Sequence, residues 1–272
     1  MVYRFAMVND QSLCTSVPTV VIGGFSTASI TRRALTELMV ADCLKARRNP
    51  QVWQPKLVFS SNGQGIALAG RDAAFARTMA EADIIHADGM SVVYASRLTR
   101  APLPERIATT DFFHDAADAA AEHRLRFFIL GASEARNAAT VEAIGRLYPR
   151  VEVVGRHHGY FGEDEDEAIC AAVCHSGADV LWVAMGKPRQ EHWSVRNRDR
   201  LRGVGWIKTC GGLYAFLTGE TPRAPVWMQR LNLEWFHRTM VDPKRLLWRY
   251  LTTNPYSLYR LLKHTDRSWR TP

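Results

Sequence analysis

Short apolar runs alternate with longer stretches of helical periodicity along most of the chain. Seven runs have the length and β-branched content of strands: residues 19–23, 56–61, 83–87, 126–130, 151–155, 179–185 and 205–210. Helices are predicted between them, around residues 30–47, 111–123, 133–148, 165–176 and 189–200. Apolar strands that alternate with helices favour a Rossmann-like α/β fold, with a mostly parallel sheet and helices on both faces.

The pattern divides the chain into three parts. Residues 19–219 contain no repeat, linker or low-complexity tract, and we interpret them as one α/β core. Residues 1–18 precede this core as an N-terminal extension. Residues 220–272 follow it and are interpreted as a helical, basic appendage.

Periodicity and turn residues predict the helices of the appendage. Trp227, Leu231 and Trp235 are spaced four residues apart, as on one stripe of a helix. Asp242 is then a typical helix N-cap, and Pro243 suits the first helical position. The sequence therefore predicts two helices that meet at Asp242.

Charge is concentrated in the same appendage. It carries ten Lys or Arg against four Asp or Glu, which is a net +6 of the +8 on the whole chain, and four of the eight tryptophans. A basic, Trp-rich segment is typical of contact with ligand phosphates, an anionic lipid surface or nucleic acid. We expect neither a signal peptide nor a transmembrane helix, and the five cysteines favour reduced thiols in a cytoplasm.

Glycine-rich turns follow three of the predicted strands, at residues 131–133, 186–188 and 211–212. In open α/β sheets the carboxyl edge of the strands binds ligands, and the following helix N-termini suit phosphate groups. The turns therefore predict a diphosphate-bearing ligand. The alternative for each glycine is that it only permits a tight turn.

An acidic residue ends another predicted strand in the stretch ADIIHADGMSVV, residues 82–93. Asp88 there is either a cap for the next helix or a charge that meets a ligand at the sheet edge.

Two other patterns are weaker indications of a ligand site. Residues 60–70 resemble a dinucleotide-binding loop, but Leu68 takes the place of the third glycine. Asp164 and Asp166 have a spacing that can hold a metal, but acids that open a helix also offset its dipole.

Four segments, taken together, resemble one family. They are FSSN…ADIIHADGMSVV, RFFILGASEA…YPRVEVVGRHHGYF, DVLWVAMGKPRQEHW and CGGLYAFLTGETPRAPVWMQRLNLEWFHRTMVDPKRLLWRYL. Their order and wording resemble the WecG/TagA/CpsF glycosyltransferases, glycosyltransferase family 26, over residues 19–252. The resemblance implies transfer of a sugar from a UDP-sugar donor to a polyprenyl-diphosphate-linked glycan acceptor, carried on undecaprenyl diphosphate, in bacterial surface polysaccharide or exopolysaccharide synthesis. It also implies an inverting enzyme without metal or cofactor, peripheral on the cytoplasmic face of the plasma membrane. In such an enzyme, the appendage of residues 220–272 completes the active site and associates with the membrane.

The resemblance assigns roles to individual residues. Asp88 matches the proposed general base, Asn62 matches an asparagine expected to orient a sugar, and Ser60 stands where many members have Thr. The UDP-sugar is expected to contact Gly89, Gly131, Gly186, Pro188, Gln190, Glu191, Gly211 and Gly212. The acceptor or its diphosphate is expected to contact Arg223, Arg238, Arg245 and Arg249, in line with the bidentate binding of phosphate by guanidinium groups.

Several choices stay open at this level. Ala215 replaces an acid that many members carry, and the donor is open between N-acetylmannosamine, its uronic acid and glucose. A homo-oligomer is an open alternative as well. The competing functions are a UDP-sugar-modifying enzyme such as an epimerase or dehydrogenase, and a basic nucleic-acid-binding protein. For the latter, no recognition helix or aromatic base platform is found, so we expect no nucleic-acid partner.

Overall fold

A six-stranded parallel sheet forms the centre of the structure, a computed structural model that describes residues 17–225, 227–228, 234–241 and 243–267. Its strands are β3 (Lys56–Ser61), β4 (Ile84–Ala87), β5 (Arg126–Gly131), β6 (Glu152–His157), β7 (Val180–Ala184) and β8 (Trp206–Thr209). Across the sheet they lie in the order β4-β3-β8-β7-β5-β6. Every neighbouring pair is parallel. The predicted α/β fold class is confirmed.

Helices cover both faces of this sheet. One face carries α2 (Gly63–Arg71), α3 (Ala73–Ala80), α4 (Met90–Ser96), α7 (Asp166–Ser176) and α8 (Arg189–Asn197). The other face carries α1 (Arg32–Arg48), α5 (Thr109–His123), α6 (Glu134–Leu147) and α9 (Leu213–Leu217). Short 3₁₀ turns lie at Glu163–Glu165 and Arg198–Leu201. Both faces of the strands are therefore buried, which explains their near-continuous apolar sequences.

At the carboxyl ends of β3, β8 and β7, the chain leaves towards different faces of the sheet. The helices that follow β3 and β7 cover one face, whereas the helix that follows the intervening β8 covers the other. Connections that leave in opposite directions open a crevice beyond the strand ends, where ligands of such sheets bind. The fold thereby places one candidate ligand crevice beside β3, β8 and β7.

The first predicted strand does not join the parallel sheet. Residues Thr19–Ile22 form β1, which pairs antiparallel with β2 (Phe25–Ala28) in a separate hairpin. Gly23 and Gly24 connect the two strands with φ values of +60° and +92°, a region that L side chains rarely adopt. The strand β2 is not predicted from the sequence, because its four residues carry little apolar signal.

Three helices between residues 63 and 96 were also missed. Gly63, Gly65 and Gly70 lower the helix propensity of α2, so that its sequence resembles a dinucleotide-binding loop more than a helix. The helix forms because Asn62 caps it: its Oδ1 accepts a hydrogen bond from the amide of Gly65 at 3.0 Å. Ile66 and other apolar residues of this helix are buried against the sheet.

The carboxyl-terminal segment forms α10 (Glu234–Val241) and α11 (Pro243–Lys263). The Tyr256 hydroxyl on α11 donates to the carbonyl of Gly70 on α2 at 2.9 Å. The end of α11 is held by the hairpin, because Gly24 donates to His264 O and Asp266 donates to Val21 O, both at 2.9 Å. Pro243 opens its helix as predicted, whereas Leu231 and the Asp242 cap lie outside the described residues. The appendage is thus anchored to the core at two places.

One side of α11 exposes large apolar side chains: Trp248, Leu251, Leu258, Tyr259 and Leu262. Their spacing brings them to one face of the helix, opposite Ser257 and Leu261, which are buried. In the described part of the chain, no helix combines the length and the apolarity needed to cross a bilayer. We call the five exposed residues the apolar stripe of α11.

Candidate active site

Asp88 lies immediately after β4, at the carboxyl edge of the sheet. One carboxylate oxygen, Oδ1, accepts a hydrogen bond from the amide of Thr109 at 2.8 Å, and Oδ2 accepts one from Asn62 Nδ2 at 3.4 Å. Thr109 is the first residue of α5, whose cap position, Ala108, offers no side-chain acceptor. Asp88 therefore supplies the missing cap for α5, while its second oxygen is turned towards Asn62.

Asp88 does not cap the helix that follows it in sequence. That helix, α4, begins after Gly89 and has no side-chain capping bond. A Cβ on Gly89 would lie 3.1 Å from the Cβ of Asn62, so glycine permits the close approach of the two loops. The sequence left two alternatives for Asp88: a helix cap, or a charge that meets a ligand. In the structure, the single Asp88 side chain has a geometry that is compatible with both roles.

Asn62 and Ser60 extend the site onto the neighbouring strand β3. The Oδ1 of Asn62 accepts the hydrogen bond that caps α2, and its Nδ2 donates to Asp88. Both ends of its side-chain amide are therefore fixed. Ser60 is buried at the level of His86, and its carbonyl accepts a hydrogen bond from Lys187 Nζ at 2.9 Å. The structure thus brings the three predicted catalytic residues to adjacent strand ends.

Gln190 connects the turns after β7 and β8. Its Oε1 accepts from the amides of Gly186 at 3.2 Å and of Gly211 at 3.1 Å, while its Nε2 donates to Glu191 Oε1 at 2.8 Å. Gln190 and Glu191 are both buried, so in this structure they hold the turns together. One oxygen of Glu191, Oε2, has no hydrogen-bond partner among the described residues.

The predicted glycines fall into two kinds. A Cβ on Gly131 would come within 2.4 Å of the Ala184 carbonyl, so close packing of β5 on β7 requires glycine there. A Cβ on Gly186, Gly211 or Gly212 would meet no atom within 4 Å, although Gly186 and Gly211 have positive φ values of +78° and +52°. The turns after β7 and β8 therefore border open space that a ligand can occupy.

Two lysines of the site were not singled out in the sequence. Lys187 Nζ donates to Glu191 Oε1 at 2.9 Å as well as to Ser60, and its side chain is only 8% exposed. Lys208 on β8 is fully buried, and burial lowers its pKa from 10.5 to about 8. The signal that could have revealed Lys208 is its place inside the apolar run GWIKTC.

A buried histidine accompanies them. His86 lies on β4, with Nδ1 2.9 Å from the Ile107 carbonyl and Nε2 without a hydrogen-bond partner among the described residues. Burial lowers the pKa of His86 well below its ordinary value, and the charge of Lys208 lowers it further. His86 is therefore neutral at physiological pH.

Among the four predicted arginines, the structure describes the side chain of Arg223. Arg223 forms an ion pair with Asp111 on α5, an acid that also lies 3.7 Å from Arg32. Arg238 lies on α10, and Arg245 and Arg249 lie on α11, but the side chains of these three are outside the described part. Their contact with a diphosphate stays a prediction.

Two open grooves adjoin the site. The smaller has a volume of about 190 Å³ and separates Lys187 and Pro188 from Gln64 on α2 and Thr253 on α11. The larger, of about 640 Å³, runs past Pro188 to Phe161 and Trp193. The predicted Pro188 thus borders both grooves, and the smaller one lies between the core and the appendage.

Asp166, one acid of the weaker Asp164 and Asp166 motif, has a structural role. Asp166 accepts hydrogen bonds from Trp193 Nε1 at 2.8 Å and Asn197 Nδ2 at 2.9 Å, and it pairs with Arg196. Burial alone would raise the pKa of Asp166, but these hydrogen bonds hold it below its ordinary value. No group of three or more His, Cys, Asp or Glu suited to a metal is found among the described residues.

Comparison with known proteins identifies the class that the fold and the site define. The chain belongs to the Glycosyl transferase WecG/TagA/CpsF family, whose model matches residues 20–271. It is therefore a glycosyltransferase, as the resemblance predicted.

Three curated relatives share the name N-acetylglucosaminyldiphosphoundecaprenol N-acetyl-beta-D-mannosaminyltransferase. The protein of Bacillus subtilis (strain 168) is 32% identical over 208 residues, which is 76% of this chain and 79% of the relative. That of Bacillus spizizenii is 32% identical over 190 residues, 70% of this chain and 72% of the relative. That of Staphylococcus aureus (strain NCTC 8325) is 28% identical over 228 residues, 84% of this chain and 88% of the relative.

Proposed function

We propose that this chain is an inverting, metal-independent transferase with Asp88 as its general base. It moves a hexosyl group from a UDP-sugar to a saccharide carried on undecaprenyl diphosphate, in the synthesis of a bacterial surface polysaccharide. The names of the relatives support this acceptor, since they specify N-acetylglucosaminyldiphosphoundecaprenol. The family supports a nucleotide-sugar donor.

The observation that carries the proposal is the way in which Asp88 is held. Inversion requires a base that removes the proton of the acceptor hydroxyl while this oxygen attacks the sugar carbon opposite the leaving group. The Thr109 amide and Asn62 orient the carboxylate from two directions, so its geometry is set before a substrate binds. In the proposal, the acceptor hydroxyl binds beside Asn62 and donates its hydrogen bond to Asp88.

The donor binds next to it, at the turns after β7 and β8. The absence of side chains at Gly186, Gly211 and Gly212 supports this location, because a diphosphate can approach the backbone there. Gln190 keeps the two turns at a fixed separation. The arginines of the appendage neutralise the departing UDP or the lipid diphosphate in this proposal, and guanidinium groups thereby take the place of a metal.

The appendage also holds the enzyme at the inner face of the plasma membrane. The apolar stripe of α11 supports this role, because Trp248 is 72% exposed and Leu251 is 62% exposed on a helix next to basic residues. An amphipathic helix with Trp on one face and Lys or Arg nearby binds the interface of anionic lipids. The smaller groove beside this helix would admit the acceptor from the membrane.

The test is transfer by the Asp88→Asn variant. Wild-type protein is screened with several UDP-sugars against N-acetylglucosamine linked through a diphosphate to a short polyprenyl chain, with and without EDTA. The substitution keeps the hydrogen bond from Thr109 but removes the base, so kcat should fall by about 100-fold or more while the affinity for UDP is unchanged. Asp83→Asn, at the opposite end of β4, is the matched control.

Three outcomes contradict parts of the proposal. Wild-type turnover in Asp88→Asn would remove the base assignment, and loss of turnover with EDTA would remove the metal-independent mechanism. Conversion of a UDP-sugar in the absence of acceptor would favour an epimerase or dehydrogenase.

A further inference from the structure

Three consecutive residues at the end of β4 hold the segment that leads into α5. The ring of His86 lies with Nδ1 2.9 Å from the carbonyl oxygen of Ile107. The carbonyl of Ala87 accepts a hydrogen bond from the amide of Ile107 at 2.8 Å, and the carboxylate of Asp88 accepts one from the amide of Thr109, also at 2.8 Å. The segment before α5 is therefore attached to the strand end at three successive positions.

The hydrogen bond of the His86 ring has a fixed direction. A carbonyl oxygen can only accept, so Nδ1 carries the proton and donates to Ile107. The ring is fully buried and neutral, because burial lowers its pKa well below the ordinary value. In the neutral ring Nε2 has no proton, and it has no hydrogen-bond partner among the described residues. Within the described structure, the ring thus makes its hydrogen bond to the segment before α5.

A histidine at this position is costly to the fold. Its ring faces the apolar layer under α5, where the ring of Phe112 lies 6.3 Å away between centroids. A polar atom that is buried without a partner, as Nε2 is, loses its hydrogen bonds to water and gains none in return. An apolar side chain would avoid this cost, so stability alone does not account for the histidine.

The segment that His86 holds carries the shorter of two hydrogen bonds to Asp88. The amide of Thr109 donates to the carboxylate at 2.8 Å, whereas Asn62 Nδ2 donates at 3.4 Å. Ile107 is two residues before Thr109, so the bond from the ring limits where that amide can lie. A misplacement of about 1 Å at a reacting group can cost about 100-fold in rate. The position of this segment therefore bears directly on the geometry of Asp88.

We propose that His86 is a positioning residue for Asp88: its ring holds residues 107–109 against β4 and so keeps the Thr109 amide on the carboxylate. The inference rests on the proposed function for the role of Asp88 as base. His86 touches neither substrate in this arrangement and acts through the backbone before α5. The second carboxylate oxygen stays turned towards Asn62, where the acceptor hydroxyl binds in the proposed function.

The first experiment needs no substrate. Backbone hydrogen exchange is measured under native conditions for wild type, His86→Leu and His86→Asn. The amide nitrogen of asparagine lies as far along the side chain as Nδ1 of histidine, so it can still donate to Ile107, whereas leucine cannot. The amide of Thr109 should exchange about tenfold faster in His86→Leu than in wild type, and His86→Asn should restore most of the protection.

Two results of this experiment would overturn the inference. One is equal protection of the Thr109 amide in all three proteins, because the ring would then hold nothing that matters to that amide. The other is equally fast exchange in both variants, because the loss would then not depend on the donor to Ile107.

The second experiment measures kcat and KM with the donor that the UDP-sugar screen identifies and the diphosphate-linked N-acetylglucosamine lipid. His86→Leu should lower kcat by about tenfold and leave KM for the UDP-sugar unchanged, because the turns after β7 and β8 are not altered. His86→Asn should keep kcat close to the wild-type value. If His86→Leu yields too little folded protein, His86→Gln replaces it, since the Gln amide extends one carbon further and is out of register with the Ile107 carbonyl.

Thr140→Val is the matched control for the loss of a buried hydrogen bond. Thr140 is buried on α6, and its hydroxyl donates to the carbonyl of Arg136 at 2.7 Å, within the same helix. This variant removes that bond without touching the segment before α5. It should leave kcat, KM and the exchange of the Thr109 amide unchanged.

The outcomes separate the inference from the proposed function. A wild-type kcat in His86→Leu, or a loss of kcat that His86→Asn shares, overturns the positioning role, while the role of Asp88 stands if Asp88→Asn is inactive. If Asp88→Asn keeps wild-type turnover, the base assignment fails, and the exchange of the Thr109 amide still decides whether His86 holds this segment.

Discussion

Replacement of Lys208 by methionine should make the protein more stable at neutral pH. Methionine has a similar length and volume but no charge, so it fits among Val58, Trp182 and the neighbouring apolar residues without a cavity. Burial lowers the pKa of Lys208 from 10.5 to about 8 in the folded protein. One pKa unit is worth about 1.4 kcal/mol, so the charged lysine costs the fold about 3 kcal/mol at pH 7.

The dependence of this stability difference on pH identifies the buried charge of Lys208 as its cause. Below pH 8 the lysine is protonated in both the folded and the unfolded chain, and the full cost is present. Between about pH 8 and 10.5 the unfolded chain holds the proton while the folded chain has lost it, so wild-type stability rises relative to the variant. The advantage of Lys208→Met should therefore shrink from about 3 kcal/mol at pH 7 to about 1 kcal/mol at pH 9.5.

Urea unfolding followed by tryptophan fluorescence at pH 7, 8 and 9.5 measures this difference. The comparison between the two proteins cancels the titration of all other groups that they share. Lys56→Met is the control, because Lys56 lies at the rim of the sheet, where it is paired with Asp42 and keeps part of its side chain in water. If Lys208→Met were less stable than wild type at pH 7, or if the difference stayed constant up to pH 9.5, the reasoning would be refuted.

Two further predictions concern the donor site and the membrane. Gln190→Ala removes the acceptor that connects Gly186 to Gly211, so KM for the UDP-sugar should rise by about tenfold with a smaller change in kcat; an unchanged KM would contradict the role of Gln190 in holding these turns. Trp248→Ser should weaken sedimentation with vesicles of anionic phospholipid but leave turnover of a short-chain, water-soluble acceptor intact. Equal vesicle binding of this variant and wild type would contradict the membrane role of the apolar stripe.

A lysine that lowers stability is informative about function. Charges in a sheet interior are rarely kept for stability, since an apolar residue of similar volume packs there at least as well. Residues that oppose folding are found where activity requires a particular charge or geometry. Lys208 is such a charge in the interior of the sheet.

The sequence predicted the parallel sheet well because its strands are buried on both faces. The runs at residues 56–61 and 126–130 have no polar alternation, and both became interior strands of the sheet. The run at residues 19–23 has a similar composition, yet it pairs with Phe25–Ala28 in a hairpin. Composition alone does not distinguish these cases, because pairing partners depend on contacts that are distant in sequence.

The candidate site also has some features that follow from the local sequence and others that depend on tertiary contacts. The sequence by itself determined that Asp88 ends a strand and that glycines follow the strands after it, since both depend on local order along the chain. Only the tertiary structure decided that Asp88 caps α5, that Gln190 connects two turns, and that Lys208 is buried beside them. Hydrogen bonds and charge interactions act through space, and their strength depends on the surrounding dielectric, which exists only once the chain has folded.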